Sequence, residues 1–261
     1  MKVAILIATY NKEKQLANTL CSIARQKTSF PFEVCIVDDC SKIDPEPIIR
    51  EFLPDAKYKR LKKRLGSNGG PSACLDLVSP DVDVVVLMTS DIILVGDDSL
   101  ECLCERVGDQ KVVFGVVLNV DIKSNFHKKM ESNITYVESN WDSLMKDNFT
   151  KSSPTKPRMW RFFLGAITKD NLSEIGYREN PCDNLMMHAM KERDYDADIL
   201  AYVKSIHQDH ARKTYHCPMA ETCKKWCRRT LYTKKMKRKG HCKPLYLSKC
   251  AATVRERNPE Q

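Results

Sequence analysis

The chain has 261 residues, of which 42% are hydrophobic and 30% charged, with a formal net charge of +9. This composition suits one α/β domain of the larger kind, with or without a small appendage, and excludes an intrinsically disordered chain. No apolar run approaches the roughly 20 residues needed to cross a bilayer, and the N-terminus lacks the layout of a signal peptide. We therefore expect a cytoplasmic protein without a transmembrane segment.

The positive charge is concentrated at the C-terminus. Residues 212–261 contain fifteen Lys and Arg against three Glu, so residues 1–211 are mildly acidic. We predict a folded domain over residues 1–211 and a small basic helical extension over residues 212–261. This asymmetry favours an anionic partner such as nucleic acid, a phospholipid surface or a phosphorylated acceptor.

The first forty residues predict a strand, a helix and a second strand. Residues 2–9 (KVAILIAT) form an apolar run, residues 13–26 favour a helix, and residues 32–37 form a second apolar run that ends in Asp38-Asp39. In open α/β sheets, ligands bind outside the carboxyl ends of the strands. The two carboxylates therefore indicate half of a nucleotide site.

The rest of the domain continues this alternation of strands and helices. Residues 66–71 (GSNGGP) predict a turn, and the polar stretch over residues 121–157 predicts a lid or binding loop. The further predicted helices are 48–53, 72–78, 99–107, 170–176 and 182–193. The further predicted strands are the basic edge strand 57–64, the central strand 82–88, and strands 111–120 and 199–206.

Four polar clusters follow apolar segments: Asp38-Asp39, Asp91, residues 179–183, and the pair His207 and His210. A parallel sheet places the ends of such strands along one rim, so this order predicts one site assembled from distant segments. Each carboxylate taken alone is equally consistent with a helix cap or a loop residue.

Residues 7–16 (IATYNKEKQL) and 32–41 (FEVCIVDDCS) together resemble the start of the family-2 glycosyltransferases of the GT-A fold. The resemblance covers most of residues 1–210. It implies an α/β fold with a mostly parallel central sheet flanked by helices. It also implies an enzyme that transfers a sugar from a nucleoside-diphosphate-sugar to an acceptor hydroxyl with inversion.

The resemblance assigns a donor site position by position. Ala8, Thr9 and Tyr10 match the loop that cups the base and ribose, and Asp39 matches the aspartate that contacts the base. The residues implied to bind the nucleotide-sugar are Ala8, Thr9, Tyr10, Asp38, Asp39, Asn68, Gly69, Gly70, Thr89 and Ser90.

Thr89-Ser90-Asp91 falls where the family carries Asp-x-Asp, which holds Mg²⁺ or Mn²⁺ against the diphosphate. Here the first Asp is Thr, while the last carboxylate, the usual metal ligand, is retained as Asp91. His207 or His210 matches the late histidine that often completes the metal shell; the alternative is a histidine hydrogen-bonded at a strand end. The missing first Asp also leaves open a relative that binds a nucleotide without efficient catalysis.

Asp183 matches the acidic residue that acts as the family's general base and takes the proton from the acceptor hydroxyl. Cys182 stands where the family often has Glu, and Glu179 is the alternative base. The residues assigned to acceptor binding are Trp160, Gly165, Lys224, Lys225, Arg228 and Arg229.

Five of the twelve cysteines, Cys21, Cys35, Cys74, Cys102 and Cys104, fall on predicted apolar faces, so we expect free thiols in a reducing compartment. In the extension, Cys223 and Cys227 are separated by three residues and His241-Cys242 follows. This spacing indicates a structural zinc site. The alternative is a small helical appendage with free thiols.

The extension also bears on the acceptor. Trp226 and Tyr232 lie among its cations, and aromatic side chains stack on nucleic-acid bases. Because relatives of this family modify hydroxymethylated bases in viral DNA, the resemblance leads us to expect a DNA acceptor, in the host cytoplasm if the protein is viral. A glycan or a lipid-linked sugar is the alternative acceptor.

Overall fold

The computed structural model describes residues 1–121, 126–144, 164–178, 189–190 and 192–209. Within them eight strands form one mixed sheet, and six α-helices have both ends described. The strands are β1 (Val3–Thr9), β2 (Phe32–Asp38), β3 (Lys57–Arg60), β4 (Val84–Met88), β5 (Ile92–Leu94), β6 (Lys111–Asp121), β7 (Leu164–Thr168) and β8 (Asp196–Asp209). The helices are α1 (Glu13–Ala24), α2 (Glu46–Phe52), α3 (Gly66–Cys74), α4 (Ser99–Glu105), α5 (Met130–Ser139) and α6 (Lys169–Glu174). None of the helices in these ranges is long and apolar enough to span a bilayer.

The strand order is β3-β2-β1-β4-β7-β6-β8-β5. The first four strands in this sheet order, β3, β2, β1 and β4, are parallel. Strand β7 runs antiparallel to both β4 and β6, and β5 runs antiparallel to β8. The α/β class with flanking helices is confirmed, and the sheet is mixed because β7 and β5 reverse direction. The parallel half brings the carboxyl ends of β1, β2 and β4 to one rim.

The central strands are apolar throughout because the sheet is covered on both faces. In β1, Ile5 and Ile7 pack into one core cluster and Ala4 and Leu6 into the other, as the two-residue period of a strand requires. All four are at most 3% exposed. Burial of each such large aliphatic side chain stabilises the fold by about 1.5–3 kcal/mol.

The predicted turn over residues 66–71 is wrong, because this segment forms most of helix α3. The backbone N–H groups of Leu65 and Gly66 donate to the carboxylate of Asp39, at 2.6 and 2.7 Å. Asp39 thus caps the start of the helix from a distant strand, where free N–H groups favour a negative charge. This contact offsets the poor helix propensity of the glycines and of Pro71.

Three elements were not predicted: helix α5, strand β5 and strand β7 (Leu164–Thr168). Helix α5 lies in the stretch expected to be irregular, and it buries Met130, Ile134 and Val137 at helical spacing. Strand β5 has only three residues, too few for a recognisable pattern. Strand β8 extends to Asp209, so His207 lies within the strand and not after it.

The predicted free thiols are confirmed for Cys21, Cys35, Cys74, Cys102 and Cys104. Burial raises the pKa of Cys35 and of Cys104 to about 12, which keeps both thiols protonated at neutral pH. The predicted domain boundary near residue 212, the basic extension and its zinc ligands lie outside the described residues.

Candidate active site

The first loop, the end of β2 and the start of α3 meet at the rim formed by the parallel strands. Thr9 lies opposite Asp38 in the β1–β2 register, and the N–H of Asp39 donates to the carbonyl of Thr9 at 2.9 Å. A Cβ built on Gly70 would lie 3.2 Å from the Cβ of Ala8 and 3.7 Å from that of Asp39. A larger residue at position 70 would therefore press on both strand ends.

Three aspartates line this rim, and each is paired with a lysine or an arginine of the described residues. Arg60 Nε lies 3.2 Å from Asp38, Arg64 Nε lies 3.9 Å from Asp39, and Lys12 forms an ion pair with Asp91. The three carboxylates are at most 5% exposed in their side chains. Buried charges are stable only when paired or hydrogen-bonded, so these cations are what allow the cluster to form.

Asp38 holds the loop that follows β2. Its carboxylate accepts hydrogen bonds from the hydroxyl and the N–H of Ser41, and Arg60 also donates to the carbonyl of Ser41 at 2.6 Å. The Ser41 hydroxyl in turn accepts from the N–H of Asn11 at 2.8 Å. These bonds tie the loop after β1 to the loop after β2, so Asp38 has a structural role in this arrangement.

Arg64 contacts both the Tyr10 ring and the carboxylate of Asp39 at the rim. The guanidinium carbon of Arg64 lies 4.0 Å from the ring centre. Burial raises the pKa of the Asp39 carboxyl, and the two N–H bonds from α3 and the charge of Arg64 oppose that shift. An aromatic face, a guanidinium and a carboxylate together suit a planar ring that carries N–H donors.

Asp91 lies between β4 and β5, and hydrogen bonds from α1 and β8 fix the backbone there. The Thr19 hydroxyl donates to the carbonyl of Ser90 at 3.1 Å, and the N–H of Gln208 donates to the carbonyl of Asp91 at 2.9 Å. Ile92 pairs with His207 in the register of β5 and β8, which places the imidazole beside the carboxylate. Sequence-distant residues of α1, β5 and β8 thus converge on Asp91.

The Asp91 carboxylate is asymmetric in its contacts. Its Oδ2 pairs with Lys12 and lies 3.3 Å from His207 Nε2. Its Oδ1 and the Thr89 hydroxyl are buried and have no hydrogen-bond partner among the described residues. Burial alone would raise the pKa of Asp91, but the nearby His207 and the Lys12 ammonium outweigh it and lower that pKa well below its usual value.

A buried polar network lies behind this site. Asn18 donates to the side chain of Gln208 at 2.7 Å and accepts from the N–H of His127 at 2.8 Å. The amide of Gln208 donates to the carbonyl of Gln15 at 3.0 Å. Because Gln208 follows His207, the network fixes the segment of β8 that carries the imidazole.

Comparison with known families gives this site its context. A family model described as "Glycosyl transferase family 2" matches residues 4–171, which run from β1 to the first half of α6. The chain belongs to glycosyltransferase family 2. The predicted family is therefore confirmed.

Individual relatives match over short stretches. Chondroitin synthase of Escherichia coli is 47% identical over 62 residues, which are 23% of this chain and 9% of that protein. The O-antigen chain rhamnosyltransferase RfbN of Salmonella typhimurium is 27% identical over 109 residues, 42% of this chain and 34% of RfbN. The chain thus covers a small part of these relatives.

Solved structures match over nearly the whole chain. Staphylococcus aureus TarS 1-349 in complex with UDP-GlcNAc has a TM-score of 0.54 at 15% identity, covering 99% of this chain and 72% of that TarS fragment. The mannosyltransferase PcManGT from Pyrobaculum calidifontis in complex with GDP-Man and Mn²⁺ has a TM-score of 0.50 at 16% identity, covering 98% and 74%. At this identity the likeness establishes a shared fold, which is the GT-A fold predicted from the sequence.

The contacts around Asp91 can be compared with the divalent cation that the sequence leads us to expect. The contacts around Asp91 fit one: Oδ1 is a buried oxygen without a described partner, and His207 supplies a nitrogen nearby. Within the described ranges, three His, Cys, Asp or Glu residues do not gather at one point. Mg²⁺ and Mn²⁺ sites commonly use one or two carboxylates plus water and substrate phosphates, so a single carboxylate is sufficient.

The structure brings together the predicted residues Ala8, Thr9, Tyr10, Asp38, Asp39, Gly69, Gly70, Thr89, Ser90, Asp91 and His207 on the rim or at its edge. Gly165 lies in β7, opposite Leu87 in β4, beside the end of that strand. The side chain of Asn68 is outside the described part of the chain. Trp160, Asp183, His210, Lys224, Lys225, Arg228 and Arg229 also lie outside it.

Lys12, Arg60 and Arg64 were not among the predicted site residues. Lys12 precedes α1 directly, where Ser, Thr, Asp or Asn is preferred and a cation opposes the helix dipole. A lysine at that position is a signal in the sequence that something else compensates its charge. Its partner Asp91 is 79 residues away, which no local pattern could indicate.

Proposed function

We propose that this family-2 chain transfers a sugar from a nucleoside-diphosphate-sugar to an acceptor hydroxyl, with inversion. The single observation that carries the proposal is the convergence of Tyr10, Asp39 and Asp91 on one rim. An aromatic face beside a carboxylate suits a nucleobase, and a buried carboxylate with a free oxygen suits a cation that binds a diphosphate. The complexes of TarS with UDP-GlcNAc and of PcManGT with GDP-Man and Mn²⁺ support the same donor class here.

The nucleoside half of the donor would lie against Tyr10. Both Asp39 oxygens already accept one N–H from α3, and each carboxylate oxygen has a second lone pair that can accept an N–H from the base. Gly70 leaves room beside Ala8 for the close approach of the ribose. These contacts would orient the donor so that its diphosphate points toward Asp91.

The diphosphate half would lie near Asp91 and His207. A divalent cation held there supplies positive charge that offsets the negative charge on the leaving nucleoside diphosphate. Asp91 is held rigid by its backbone contacts with Gln208, so little reorganisation would accompany binding. Asp183 is the proposed general base, from its match to the family's acidic residue, and it would take the proton from the attacking hydroxyl.

For the acceptor we propose the hydroxyl of a saccharide or polyol polymer. Support comes from the names of relatives: chondroitin synthase, an O-antigen chain rhamnosyltransferase, and a poly(ribitol-phosphate) beta-N-acetylglucosaminyltransferase. The fifteen cations of residues 212–261 favour an acceptor that carries negative charge. DNA is the other anionic acceptor to test; the relatives' names give it no support.

Hydrolysis of the donor tests the proposal without knowledge of the acceptor. A panel of UDP-sugars and GDP-sugars is incubated with the full chain and Mn²⁺ or Mg²⁺, and released nucleoside diphosphate is measured with and without EDTA. We expect slow, metal-dependent release from at least one donor. Asp91→Asn should lower that rate by about two to three orders of magnitude, whereas Asp55→Asn, at an exposed position, should not. Equal rates for wild type and Asp91→Asn would contradict the proposal.

A further inference from the structure

We propose that Lys12 is a phosphate-binding residue of the donor site. In this proposal the Lys12 ammonium pairs with Asp91 in the absence of ligand. When a nucleoside diphosphate binds, the ammonium pairs with a phosphate, and Asp91 can then bind the divalent cation. The inference rests on the proposed function for the identity of the diphosphate. The Lys12–Asp91 contact itself does not depend on that function.

The position of Lys12 is costly unless its charge has a dedicated role. It directly precedes α1, where the helix dipole disfavours a cation, and its side chain does not cap the helix. Its side chain is only 21% exposed and that of Asp91 is 1% exposed. The ion pair therefore lies inside the rim of the candidate site.

The second observation is the free oxygen of Asp91. Oδ2 is occupied by Lys12 and His207, whereas Oδ1 is buried without a partner among the described residues. Buried carboxylate oxygens are normally satisfied, and an orphan points to an ion or water that binds there. Asp91 thus pairs with one cation through one oxygen, and its other oxygen is the atom that a second cation would contact.

Two cations on one carboxylate repel each other strongly at such short range. The pair Asp91 and Lys12 is neutral as a unit, so a divalent cation added to it would leave an uncompensated double positive charge. A nucleoside diphosphate brings several negative charges to the same place. It can therefore accept both the ammonium and the metal, and it removes the repulsion that keeps the metal out.

Lys12 can change partners without movement of the backbone. The carbonyl of Lys12 accepts the first helical hydrogen bond, from Leu16 at 2.8 Å, which fixes the main chain. The four-carbon stem of lysine carries three rotatable donors, so the ammonium can turn toward a phosphate while it stays near the carboxylate. Binding of metal and binding of diphosphate are then coupled, and the coupling must be reciprocal.

Metal binding without nucleotide tests the first half of the proposal. Mn²⁺ affinity of the full chain is measured by electron paramagnetic resonance for wild type, Lys12→Met, Lys12→Arg and Lys14→Met. Lys14 is exposed and two residues away, so its variant is the matched control. We expect Lys12→Met to bind Mn²⁺ about tenfold more tightly than wild type, and the two other variants to match wild type. The double variant Lys12→Met/Asp91→Asn should lose the gain.

Diphosphate binding without metal tests the second half. UDP and GDP are titrated in EDTA by calorimetry, and the preferred nucleotide should bind Lys12→Met about tenfold more weakly than wild type. Lys12→Arg should keep most of the affinity, since it keeps the charge. Thermal denaturation of each variant establishes that it is folded, and Lys12→Gln, which also removes the charge, replaces Lys12→Met if that variant does not fold.

The outcomes separate the two proposals. If wild type binds a nucleoside diphosphate and Lys12→Met binds it and Mn²⁺ equally well, the role of Lys12 is refuted and the proposed function stands. If wild type binds neither UDP nor GDP, in EDTA or with Mn²⁺, the proposed function fails, and the phosphate-binding role of Lys12 fails with it. Tighter Mn²⁺ binding and weaker diphosphate binding in the same variant would establish the exchange.

Discussion

The guanidinium carbon of Arg64 lies 4.0 Å from the centre of the Tyr10 ring, and the same guanidinium lies 3.9 Å from the carboxylate of Asp39. Arg64 thus links the aromatic face and the carboxylate that we assign to the nucleobase. In the proposed donor site the base would stack against the Tyr10 ring, since Tyr10 and Asp39 directly follow the carboxyl ends of β1 and β2.

Removal of the Tyr10 ring should weaken binding of the nucleotide. Stacking of a base on an aromatic side chain contributes about 1–3 kcal/mol, so Tyr10→Ala should lower the affinity for the nucleoside diphosphate by about 5-fold to 150-fold. Tyr10→Phe keeps the ring and should bind nearly as wild type. Calorimetric titration of both variants checks this, and equal affinity for Tyr10→Ala and Tyr10→Phe would place the base elsewhere.

Glu33, at the opposite end of β2, should make folding stability depend on acidic pH. Burial opposes ionisation, but bonds from Ser79 and the Lys57 ammonium lower the pKa of Glu33 from 4.5 to about 2. A depressed pKa in the folded state stabilises the protein above about pH 4.5, and this contribution is lost as pH falls toward 2.

Glu33→Gln should therefore lower the free energy of unfolding at pH 7 by up to about 3 kcal/mol and flatten its fall between pH 5 and 2.5. Urea denaturation at several pH values measures both. Glu51→Gln, at an exposed position on α2, is the control and should leave both quantities unchanged. A parallel pH response for Glu33→Gln and wild type would refute the role of this carboxylate.

Gly115 should tolerate no side chain. A Cβ there would lie 2.8 Å from Leu164 Cδ2, 2.9 Å from Val203 Cγ1 and 3.2 Å from the Val203 carbonyl, at the irregularity in the β6–β8 register. Gly115→Ala should lower the free energy of unfolding by about 1–3 kcal/mol. At Gly108 a Cβ would meet no atom within 4 Å, so Gly108→Ala should change it by less than about 0.5 kcal/mol. Similar urea midpoints for the two variants would contradict the packing at Gly115.

The basic extension should govern affinity for anionic polymers. Replacement of Lys224, Lys225, Arg228 and Arg229 by Gln in the full chain should weaken binding and lower its salt dependence, because fewer phosphates are neutralised. Binding of duplex DNA and of a poly(ribitol-phosphate) is measured against salt concentration. Four exposed lysines of the folded domain, Lys14, Lys27, Lys128 and Lys129, replaced by Gln, give a control of equal charge. An equal loss of affinity in both variants would mean that binding depends on the net charge of the protein and not on the extension.

The sequence predicted β1, β2 and β4 because each is a continuous apolar run buried on both faces. It therefore predicted the rim and the carboxylates that follow those strands. It did not predict α3, since the group that caps this helix is Asp39, 27 residues before Gly66. The sequence did not predict the Lys12–Asp91 pair for the same reason. The two residues are far apart in the chain, and only the fold brings them together.

Transfer of a glycosyl residue to an acceptor is the measurement that tests the central claim most directly. The donor selected by hydrolysis is incubated with the full chain and a panel of saccharides and polyol phosphates, and products are analysed by mass spectrometry. We predict an acceptor that gains one glycosyl residue for each nucleoside diphosphate released, with wild type but not with Asp91→Asn or Asp183→Asn. Intact donor with every acceptor, or the same product from Asp91→Asn as from wild type, would contradict the account.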